Sequence, residues 1–472
     1  MKKTKIVATL GPASNDKEIL RQMFLEGLNV CRLNFSHGAH EIHEAVIKTI
    51  RELNVETGLN VAILADLQGP KIRTNEMTNN GVELISGSKV IIVTEKILGT
   101  ADRFSINYKQ LPADVHPGER ILLDDGKLIL EVVKTDGISE IEALVIHGGI
   151  LSSKKGVNFP NTKISMPSLT EKDKEDLDFA LEQNVDWIGL SFVRNAKDIR
   201  ELKEIIESKH GKAKVIAKIE KPEAVEDIDE IIAESDGLMV ARGDLGVEVP
   251  YERVPLIQKM LIRKCAVQAK PIIVATQMME SMITNLTPSR AEVNDVANAV
   301  LDGADAVMLS GETSVGNHPI EVIKTMSRIV REMEDFDGIY NKEELPKKNT
   351  DRFISDSICF NACRLSQRVE ADAIITISFS GYTAYKIASQ RPKAPIYVFT
   401  SNKQILTQLN LIWGVKGLYY NKRISTDHSI ADIKQILKKE GLVKKGDLVI
   451  NIASIPLEES GKSNMLKLSE VE

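Results

Sequence analysis

The chain has 472 residues, a formal net charge of −6 and 27% charged side chains, which is typical of a soluble enzyme. The negative charge argues against a surface that binds nucleic acid or an anionic membrane, and no apolar run approaches the roughly 18 residues of a membrane-spanning helix. The four cysteines show no metal-ligand spacing and the apolar run 6–10 is too short for a signal peptide, so we expect a cytoplasmic protein.

Eight short apolar runs recur along the chain and are typical of buried parallel strands. Charged segments of helical period, such as 16–26, 171–181 and 198–208, lie between them and give βα units of roughly 25–35 residues. Eight such units predict a (β/α)8 TIM barrel. A Rossmann sheet is the alternative, but no G-x-G-x-x-G opens the first helix and the strands are too many. The runs begin at Lys5, Asn29, Val61, Asp186, Val215, Gly237, Pro271 and Asp305.

One long gap, between the third and fourth runs, predicts an insertion. Residues 70–167 are rich in Val, Ile, Gly and Thr, which favours an all-β segment. Because barrel active sites lie at the carboxyl ends of the strands, a segment inserted after the third strand should act as a lid. Its turn signals are Asn79-Asn80-Gly81, Asp124-Asp125-Gly126 and Asp136-Gly137.

The pattern restarts after a linker at 345–350. Two helical segments, 351–368 and 383–390, alternate with apolar runs at 373–377, 395–400 and 448–452, which predicts a three-layer α/β domain. Three domains agree with a length prior of about 150 residues each. We place the barrel at 1–69 and 168–336, the lid at 70–167 and a C-terminal regulatory domain at 337–472.

Polar residues follow nearly every predicted barrel strand. One such residue means little, because strand ends are solvated, but two arginines, a lysine and several acids in one mouth are costly to bury without a ligand. A phosphorylated substrate together with a metal ion would satisfy them. The residues are Thr9, Arg32, Asn34, Ser36, Asp66, Ser191, Lys218, Glu220, Arg242, Asp244, Thr276, Ser310 and Glu312.

Seven motifs, in order along residues 4 to about 466, resemble the pyruvate kinase family. The resemblance implies a glycolytic enzyme that transfers a phosphoryl group from phosphoenolpyruvate to ADP, giving pyruvate and ATP through a Mg²⁺-stabilised enolate. It also implies a homotetramer. The motifs are Cys31-Arg-Leu-Asn-Phe-Ser-His-Gly38, Asp66-Leu-Gln-Gly-Pro-Lys-Ile-Arg73, Ser153-Lys-Lys-Gly-Val-Asn158, Ile216-Ala-Lys-Ile-Glu220, Met239-Val-Ala-Arg-Gly-Asp-Leu-Gly246, Ala275-Thr-Gln-Met-Met-Glu-Ser281 and Met308-Leu-Ser-Gly-Glu-Thr313.

The resemblance also implies roles for individual residues. Lys218 would steady the phosphoryl group and the enolate, and Arg32 would contact the phosphoryl group. Glu220 and Asp244 would hold Mg²⁺ or Mn²⁺, hard cations that prefer carboxylates. Thr276 would bind the substrate carboxylate and route a proton to the enolate. The remaining positions are Gly243, whose backbone would approach the substrate carboxylate, and the nucleotide-binding set of Asn34, Arg73 and Lys155, with Lys154 beside it.

Potassium is a separate question. Many relatives hold K⁺ with residues that match Asn34, Ser36, Asp66 and the backbone of Leu67. Those relatives usually carry Asp-Thr-Lys-Gly-Pro-Glu where this chain has Asp66-Leu-Gln-Gly-Pro-Lys71, and an ammonium at Lys71 can replace the monovalent charge. We therefore expect that potassium is not required. The alternative is that Lys71 points into solvent and K⁺ still binds. One further departure is Thr74, where potassium-independent relatives often have an aliphatic residue.

The segment Ser378-Phe-Ser-Gly-Tyr-Thr383 predicts a phosphate site for an allosteric effector. Its hydroxyls and glycine precede a predicted helix, whose N-terminal N–H groups bind phosphate well, although an ordinary capped helix is the alternative. The site residues are Ser378, Ser380, Gly381 and Thr383. Phe379 stands where relatives regulated by fructose bisphosphate have lysine, and the loop 455–464 carries two acids partly offset by Lys462. A monophosphate such as AMP or a pentose phosphate is therefore favoured.

Two rival functions differ in class. A metal-dependent carbon–carbon lyase or aldolase would also place Glu and Asp at strand ends, but it would lack the nucleotide contacts of Arg73 and Lys155. A catalytically silent metabolite sensor is disfavoured by the complete set of Lys218, Glu220 and Thr276 with Asp244.

Overall fold

The computed structural model describes residues 2–348, 350–422, 425–455 and 462–472. The chain begins with three parallel strands and two helices. The first helix starts where Asp16 caps it, since the Asp16 carboxylate accepts hydrogen bonds from the backbone N–H groups of Glu18 and Ile19. These elements are β1 (Lys5–Thr9), α1 (Lys17–Leu25), β2 (Val30–Asn34), α2 (His40–Thr57) and β3 (Ala62–Asp66).

An all-β lid follows β3, as predicted. It contains a six-stranded sheet in the order β11-β7-β8-β9-β5-β6 and a two-stranded sheet, β10-β4, around a hydrophobic core of its own. Asn79, Asn80, Asp124 and Asp125 have positive φ angles, which the short polar side chains at these turns tolerate. The elements are β4 (Gly81–Leu84), β5 (Lys89–Val93), β6 (Arg103–Ser105), α3 (Leu111–Asp114), β7 (Arg120–Leu123), β8 (Leu128–Thr135), β9 (Glu140–His147), β10 (Gly149–Ser152) and β11 (Val157–Asn158).

The barrel then resumes and closes. Its eight parallel strands lie in the order β1-β16-β15-β14-β13-β12-β3-β2, and each predicted run begins within one residue of an observed strand. The (β/α)8 prediction is thus confirmed. The remaining elements are α4 (Glu171–Glu182), β12 (Trp187–Leu190), α5 (Ala196–Ser208), β13 (Lys214–Ile219), α6 (Pro222–Glu226), α7 (Ile228–Glu234), β14 (Gly237–Ala241), α8 (Arg242–Glu248), α9 (Val254–Gln268), β15 (Ile272–Ala275), α10 (Arg290–Asp302), β16 (Ala306–Leu309), α11 (Gly311–Ser314) and α12 (Pro319–Glu334).

A five-stranded sheet flanked by helices forms the C-terminal α/β unit. The strand order is β19-β18-β17-β20-β21, and only the β20–β21 pair is antiparallel in this sheet. The predicted domain boundaries stay a proposal. The elements are α13 (Phe353–Val369), β17 (Ala373–Ile377), α14 (Tyr382–Ser389), β18 (Ile396–Thr400), α15 (Lys403–Gln408), β19 (Val415–Tyr419), α16 (Thr426–Lys439), β20 (Leu448–Ala453) and β21 (Met465–Glu470).

The C-terminal unit packs on the amino ends of the barrel strands. Asp305, just before β16, forms an ion pair with Arg391, with Nη1 and Oδ1 3.0 Å apart. Asp186, just before β12, accepts a hydrogen bond from Thr407 of α15. The carboxyl ends of the barrel strands, which form the mouth at the opposite end, therefore face the lid. Within the described ranges, no helix has the length and apolar character needed to cross a membrane.

Candidate active site

Lys218 lies at the centre of the barrel mouth. Its side chain is buried on β13, and Nζ donates a hydrogen bond to Ser191 Oγ at 2.7 Å. The same atom lies 3.0 Å from Glu220 Oε1 and 3.2 Å from Asp66 Oδ1. The Ser191 hydroxyl in turn donates a hydrogen bond to the Leu67 carbonyl oxygen at 2.7 Å, which leaves its lone pairs to accept from the Lys218 ammonium.

The charges in this mouth are mutually compensated. Burial alone would lower the pKa of Lys218, but Asp66 and Glu220 together raise it above the usual value, so the ammonium stays charged. Burial would raise the pKa of Asp66, yet Lys218 and Arg32 together lower it. Arg32 Nε lies 2.6 Å from Asp66 Oδ2, and Nη1 donates to Thr9 Oγ1 at 2.8 Å. Two fixed cations therefore face the mouth from β2 and β13.

Glu220 and Asp244 supply carboxylate oxygens to the same mouth. Glu220 is 1% exposed, and its Oε2 accepts the backbone N–H of Phe192 at 2.8 Å. Burial raises the pKa of Glu220, and Asp244 raises it further, while Lys218 opposes both. Carboxylates that repel each other in this way fit a divalent cation between them. In the described part of the chain, no group of three or more His, Cys, Asp or Glu side chains is placed to hold a metal ion.

Thr276 occupies a strained position at the end of β15. Its φ angle is 67°, which a β-branched residue rarely adopts. The strain holds Oγ1 where it accepts the backbone N–H of Gly243 at 2.8 Å. Arg242 stabilises the turn because Nη2 donates to the Thr276 carbonyl at 2.7 Å and also pairs with Asp295. A Cβ on Gly243 would lie 3.5 Å from Thr276 Oγ1, an ordinary contact, so protein packing does not demand glycine there.

The predicted nucleotide residues Arg73 and Lys155 meet where the lid joins the barrel. We call residues 71–74 and 154–157 the hinge ribbon, because Arg73 bridges Gly156 and the N–H of Thr74 donates to the Lys155 carbonyl at 2.9 Å. Lys155 Nζ lies 3.0 Å from Asp124 Oδ1 of the lid. The neighbouring Lys154 is 70% exposed and pairs with Glu76 instead.

The predicted potassium residues lie together beside the same mouth. Asn34 Oδ1 accepts the N–H of Ser36 at 3.2 Å, and Asn34 pairs in register with Asp66 on the neighbouring strand. The Leu67 carbonyl already accepts the Ser191 hydroxyl. Lys71 lines the cleft between lid and barrel, together with Asp244.

A second cleft, of about 660 Å³, lies behind the lid hinge against α5 and α6. Two of its lining cations form ion pairs, Arg194 with Asp198 and Lys197 with Glu201. Arg194 also donates a hydrogen bond to the Ile164 carbonyl at 2.8 Å, which connects the last residues of the lid segment to the barrel. Five acidic side chains face three cations in its lining, so this cleft does not suit a phosphorylated substrate.

The predicted effector loop stands between β17 and α14. Gly381 has a φ angle of 80°, and its N–H donates to Ser378 Oγ at 3.0 Å. Ser380 is exposed, whereas Thr383 is buried with Oγ1 3.0 Å from Ser463 Oγ. Phe379 is 65% exposed. The two acids of the late loop, at 458 and 459, lie outside the described residues.

Several residues that organise the site carried no individual prediction. Ser191 and Arg242 were noted only as strand ends, without roles. Asp295 lies inside α10, and Glu248 forms a buried ion pair with Lys221, the residue that follows Glu220. The sequence alone does not distinguish an acidic residue that contacts the site from the other acidic residues on the solvated face of a helix.

Comparisons with known proteins cover nearly the whole chain. Two family models match, "Pyruvate kinase, barrel domain" over residues 1–323 and "Pyruvate kinase, alpha/beta domain" over residues 356–469. The chain is 46% identical to a pyruvate kinase of Geobacillus stearothermophilus over 471 residues, which are 99% of this chain and 80% of the relative. It is 43% identical to one of Clostridium acetobutylicum over 478 residues, which cover all of both chains. The crystal structure of a pyruvate kinase from Cryptosporidium parvum superposes with a TM-score of 0.93 at 36% identity, covering 100% of this chain and 96% of that one.

Proposed function

The chain belongs to the pyruvate kinase family, and we propose that Lys218, Arg32 and Thr276 are its catalytic residues. The enzyme transfers a phosphoryl group from phosphoenolpyruvate to ADP, giving pyruvate and ATP. The observation that carries the assignment is the Lys218 ammonium, held in one direction by Ser191, Glu220 and Asp66 at the barrel mouth.

Lys218 and Arg32 bind the transferring phosphoryl group in this proposal. Both cations are fixed before substrate arrives, so they need no reorganisation when negative charge develops. Lys218 also stabilises the enolate oxygen that the departing phosphoryl group leaves behind. In a site that excludes water, one such fixed charge is worth about 3–4 kcal/mol in the transition state.

Glu220 and Asp244 hold the divalent cation that the family generally uses, which we propose to be Mg²⁺ or Mn²⁺. The bound cation supplies positive charge to the substrate carboxylate and oxygens. Glu220 keeps its position through the N–H of Phe192, and Asp244 keeps its own through the helix α8. Because the pKa of Glu220 is raised, the cation must compete with a proton for this carboxylate.

Thr276 and Gly243 hold the carboxylate end of the substrate. The backbone of Gly243 approaches the carboxylate, and the Thr276 hydroxyl orients it and helps to relay a proton from water to the enolate carbon. The Thr276 hydroxyl donates a hydrogen bond to the Ala275 carbonyl at 2.7 Å, so it must rotate to donate to the substrate carboxylate.

Arg73 and Lys155 bind the nucleotide from the hinge ribbon, and Asn34 binds it from the end of β2. Lys155 is paired with Asp124, and phosphate must compete with this carboxylate for the ammonium. The nucleotide would therefore exchange one ion pair for another, with little net desolvation cost. Neither a lyase nor a silent sensor needs these hinge cations.

We further propose four properties beyond the catalytic reaction itself. Lys71 substitutes for potassium, and Ser378, Ser380, Gly381 and Thr383 bind a monophosphate effector, supported by the exposed Ser380 and by Phe379 in place of a cation. The enzyme is a cytoplasmic homotetramer.

The experiment that tests the nucleotide assignment uses adjacent lysines. Lys155→Met should raise the KM for ADP about tenfold or more, while the KM for phosphoenolpyruvate changes little. Lys154→Met is the matched control, because Lys154 is exposed and pairs with Glu76. ATP formation measured against each substrate decides the matter, and equal effects of the two substitutions would refute the role of Lys155. For Thr276, exchange of the pyruvate methyl protons with deuterated water should fall in Thr276→Ala and persist in Thr276→Ser.

A further inference from the structure

We propose that Glu248 is a positioning residue that couples the lid to the two carboxylates of the metal site. Glu248 is the last residue of α8, and its side chain is 1% exposed. Its Oε1 lies 2.6 Å from Lys221 Nζ and accepts a hydrogen bond from Asn158 Nδ2 at 2.8 Å. The inference rests on the proposed function, because it takes Glu220 and Asp244 as the cation ligands.

The first link runs from Glu248 to Asp244. The two residues are four positions apart on α8, so they share one face of the helix. The helix has only seven residues, and its rotation is therefore set largely by its buried side chains. Fixing Glu248 fixes the direction in which the Asp244 carboxylate projects.

The second link runs from Glu248 to Glu220. Lys221 follows Glu220 directly, at the position where β13 ends and α6 begins. The Lys221–Glu248 pair is nearly inaccessible to water, and breaking such a pair leaves an uncompensated buried charge. The pair thus joins the loop that carries one metal carboxylate to the helix that carries the other.

The third link runs from Glu248 to the lid. Asn158 belongs to β11, which pairs with β7 of the lid sheet. Asn158, Lys221 and Asp244 line the same cleft between lid and barrel. Within the described residues, Glu248 Oε2 has no hydrogen-bond partner. When the lid moves away, Glu248 loses one of its two donors, and Lys221 becomes its remaining partner. A buried carboxylate responds strongly to such a loss, so lid position changes the placement of both metal carboxylates.

Mn²⁺ binding to the otherwise unliganded enzyme tests this coupling without relying on turnover. Free Mn²⁺ can be counted by electron paramagnetic resonance during titration of the full-length protein. Glu248→Gln keeps the shape of the side chain and removes its charge, and we expect the Kd for Mn²⁺ to rise about tenfold. Asn158→Ala should raise this Kd in the same direction by a smaller factor, because it removes only the lid donor. In the double variant, Asn158→Ala should add less than it does alone, since a neutral amide at position 248 accepts the Asn158 hydrogen bond more weakly than a carboxylate.

Two controls separate the possible outcomes. Glu252→Gln removes an exposed carboxylate close to α8 and should leave the Kd unchanged. Glu220→Gln should weaken Mn²⁺ binding most strongly. If Glu220→Gln binds Mn²⁺ like the wild type, the ligand assignment fails. If Glu220→Gln loses binding while Glu248→Gln and Asn158→Ala stay within twofold of the wild type, only the coupling fails. The coupling would also be refuted if Glu248→Gln and Asn158→Ala changed the Kd for Mn²⁺ by independent factors that multiply in the double variant. If Glu248→Gln does not fold, the effect of Asn158→Ala on this Kd decides whether the coupling exists.

Discussion

Lys218 and Glu220 lie two positions apart at the end of β13, and the ammonium of the first is 3.0 Å from a carboxylate oxygen of the second. Side chains two positions apart on a strand point to the same face, which here is the barrel mouth. Glu220 therefore has two tasks in the proposed mechanism, because one oxygen restrains Lys218 while the carboxylate also faces Asp244. Any change at Lys218 acts on the proposed metal site as well as on the phosphoryl group.

Lys218→Met should reduce kcat by several orders of magnitude, because the ammonium acts mainly in the transition state. The fold should persist, since Asp66 keeps Arg32 as a partner and Glu220 keeps the N–H of Phe192. ATP formation at saturating substrates measures the loss, with circular dichroism as the check on folding. Lys197→Met, an exposed lysine on α5, is the control. A variant with near-normal kcat would exclude Lys218 from the reaction.

The enzyme should work without potassium. Activity in tetramethylammonium chloride should stay within tenfold of that in potassium chloride at equal ionic strength, since Lys71 already supplies a positive charge. Lys71→Glu should create a potassium requirement of at least tenfold. Lys154→Glu makes the same charge reversal on an exposed residue and should leave the salt preference unchanged. A tenfold or greater loss in the wild type without potassium would rule the proposal out.

A phosphorylated effector should shift the phosphoenolpyruvate saturation curve to lower concentration. Titrating AMP, ribose 5-phosphate and fructose 1,6-bisphosphate at low phosphoenolpyruvate identifies the ligand, because activation requires tighter binding to the active state. Ser380→Asp should abolish the shift through charge repulsion, and so should Thr383→Asp. The exposed Ser208→Asp on α5 is the control. The loop has no role if no compound shifts the curve, or if the shift survives both substitutions.

Asp186 should make the enzyme less stable as the pH rises from acid towards neutrality. Burial raises the pKa of Asp186 from 3.8 to about 6, although Thr407 and the N–H of Ile63 donate to it. The folded chain thus holds this proton more tightly than the unfolded chain. Its stabilising contribution is complete below pH 3.8 and is lost as the pH rises through about 6.

Asp186→Asn removes this titration and isolates its effect. The stability of the variant relative to wild type should increase by about 2 kcal/mol between pH 4.5 and pH 7. Thermal unfolding at both pH values gives the comparison. Asp229→Asn, an exposed carboxylate on α7, should show no such trend. A constant difference across this range would mean that Asp186 titrates normally.

The sequence predicted the barrel well because buried parallel strands leave a strong periodic signal. The runs starting at Lys5 and Gly237 coincide with observed strands, and the others differ by one residue. Polar residues at the carboxyl ends then had to converge, since a closed parallel barrel brings all these ends to one mouth. This geometry explains why Lys218 and Glu220 could be selected before the structure was known.

Contacts between distant elements could not be predicted in this way. Glu248 lies 27 positions from Lys221 and 90 from Asn158, and each residue alone resembles a solvated surface charge or amide. Asp186 and Asp305 were marked as the starts of apolar runs, but nothing in their spacing indicated that the C-terminal unit covers them. Contacts of this kind form only when separately folded units pack against each other, so no local sequence pattern indicates them.

The hinge ribbon has a mechanical consequence. The lid is connected to the barrel by two chain segments that pair with each other at Arg73 and Gly156. A rigid body that turns about an axis sweeps only short arcs close to that axis and long arcs far from it. Arg73 and Lys155 lie on the ribbon itself, so a swing of the lid changes their distance to the strand ends less than it moves Asn158, which lies beyond the ribbon on β11. Opening and closing of the lid would then control the entry of water and the release of product at the mouth. The distances from Arg73 and Lys155 to the nucleotide phosphates would stay nearly constant during this movement.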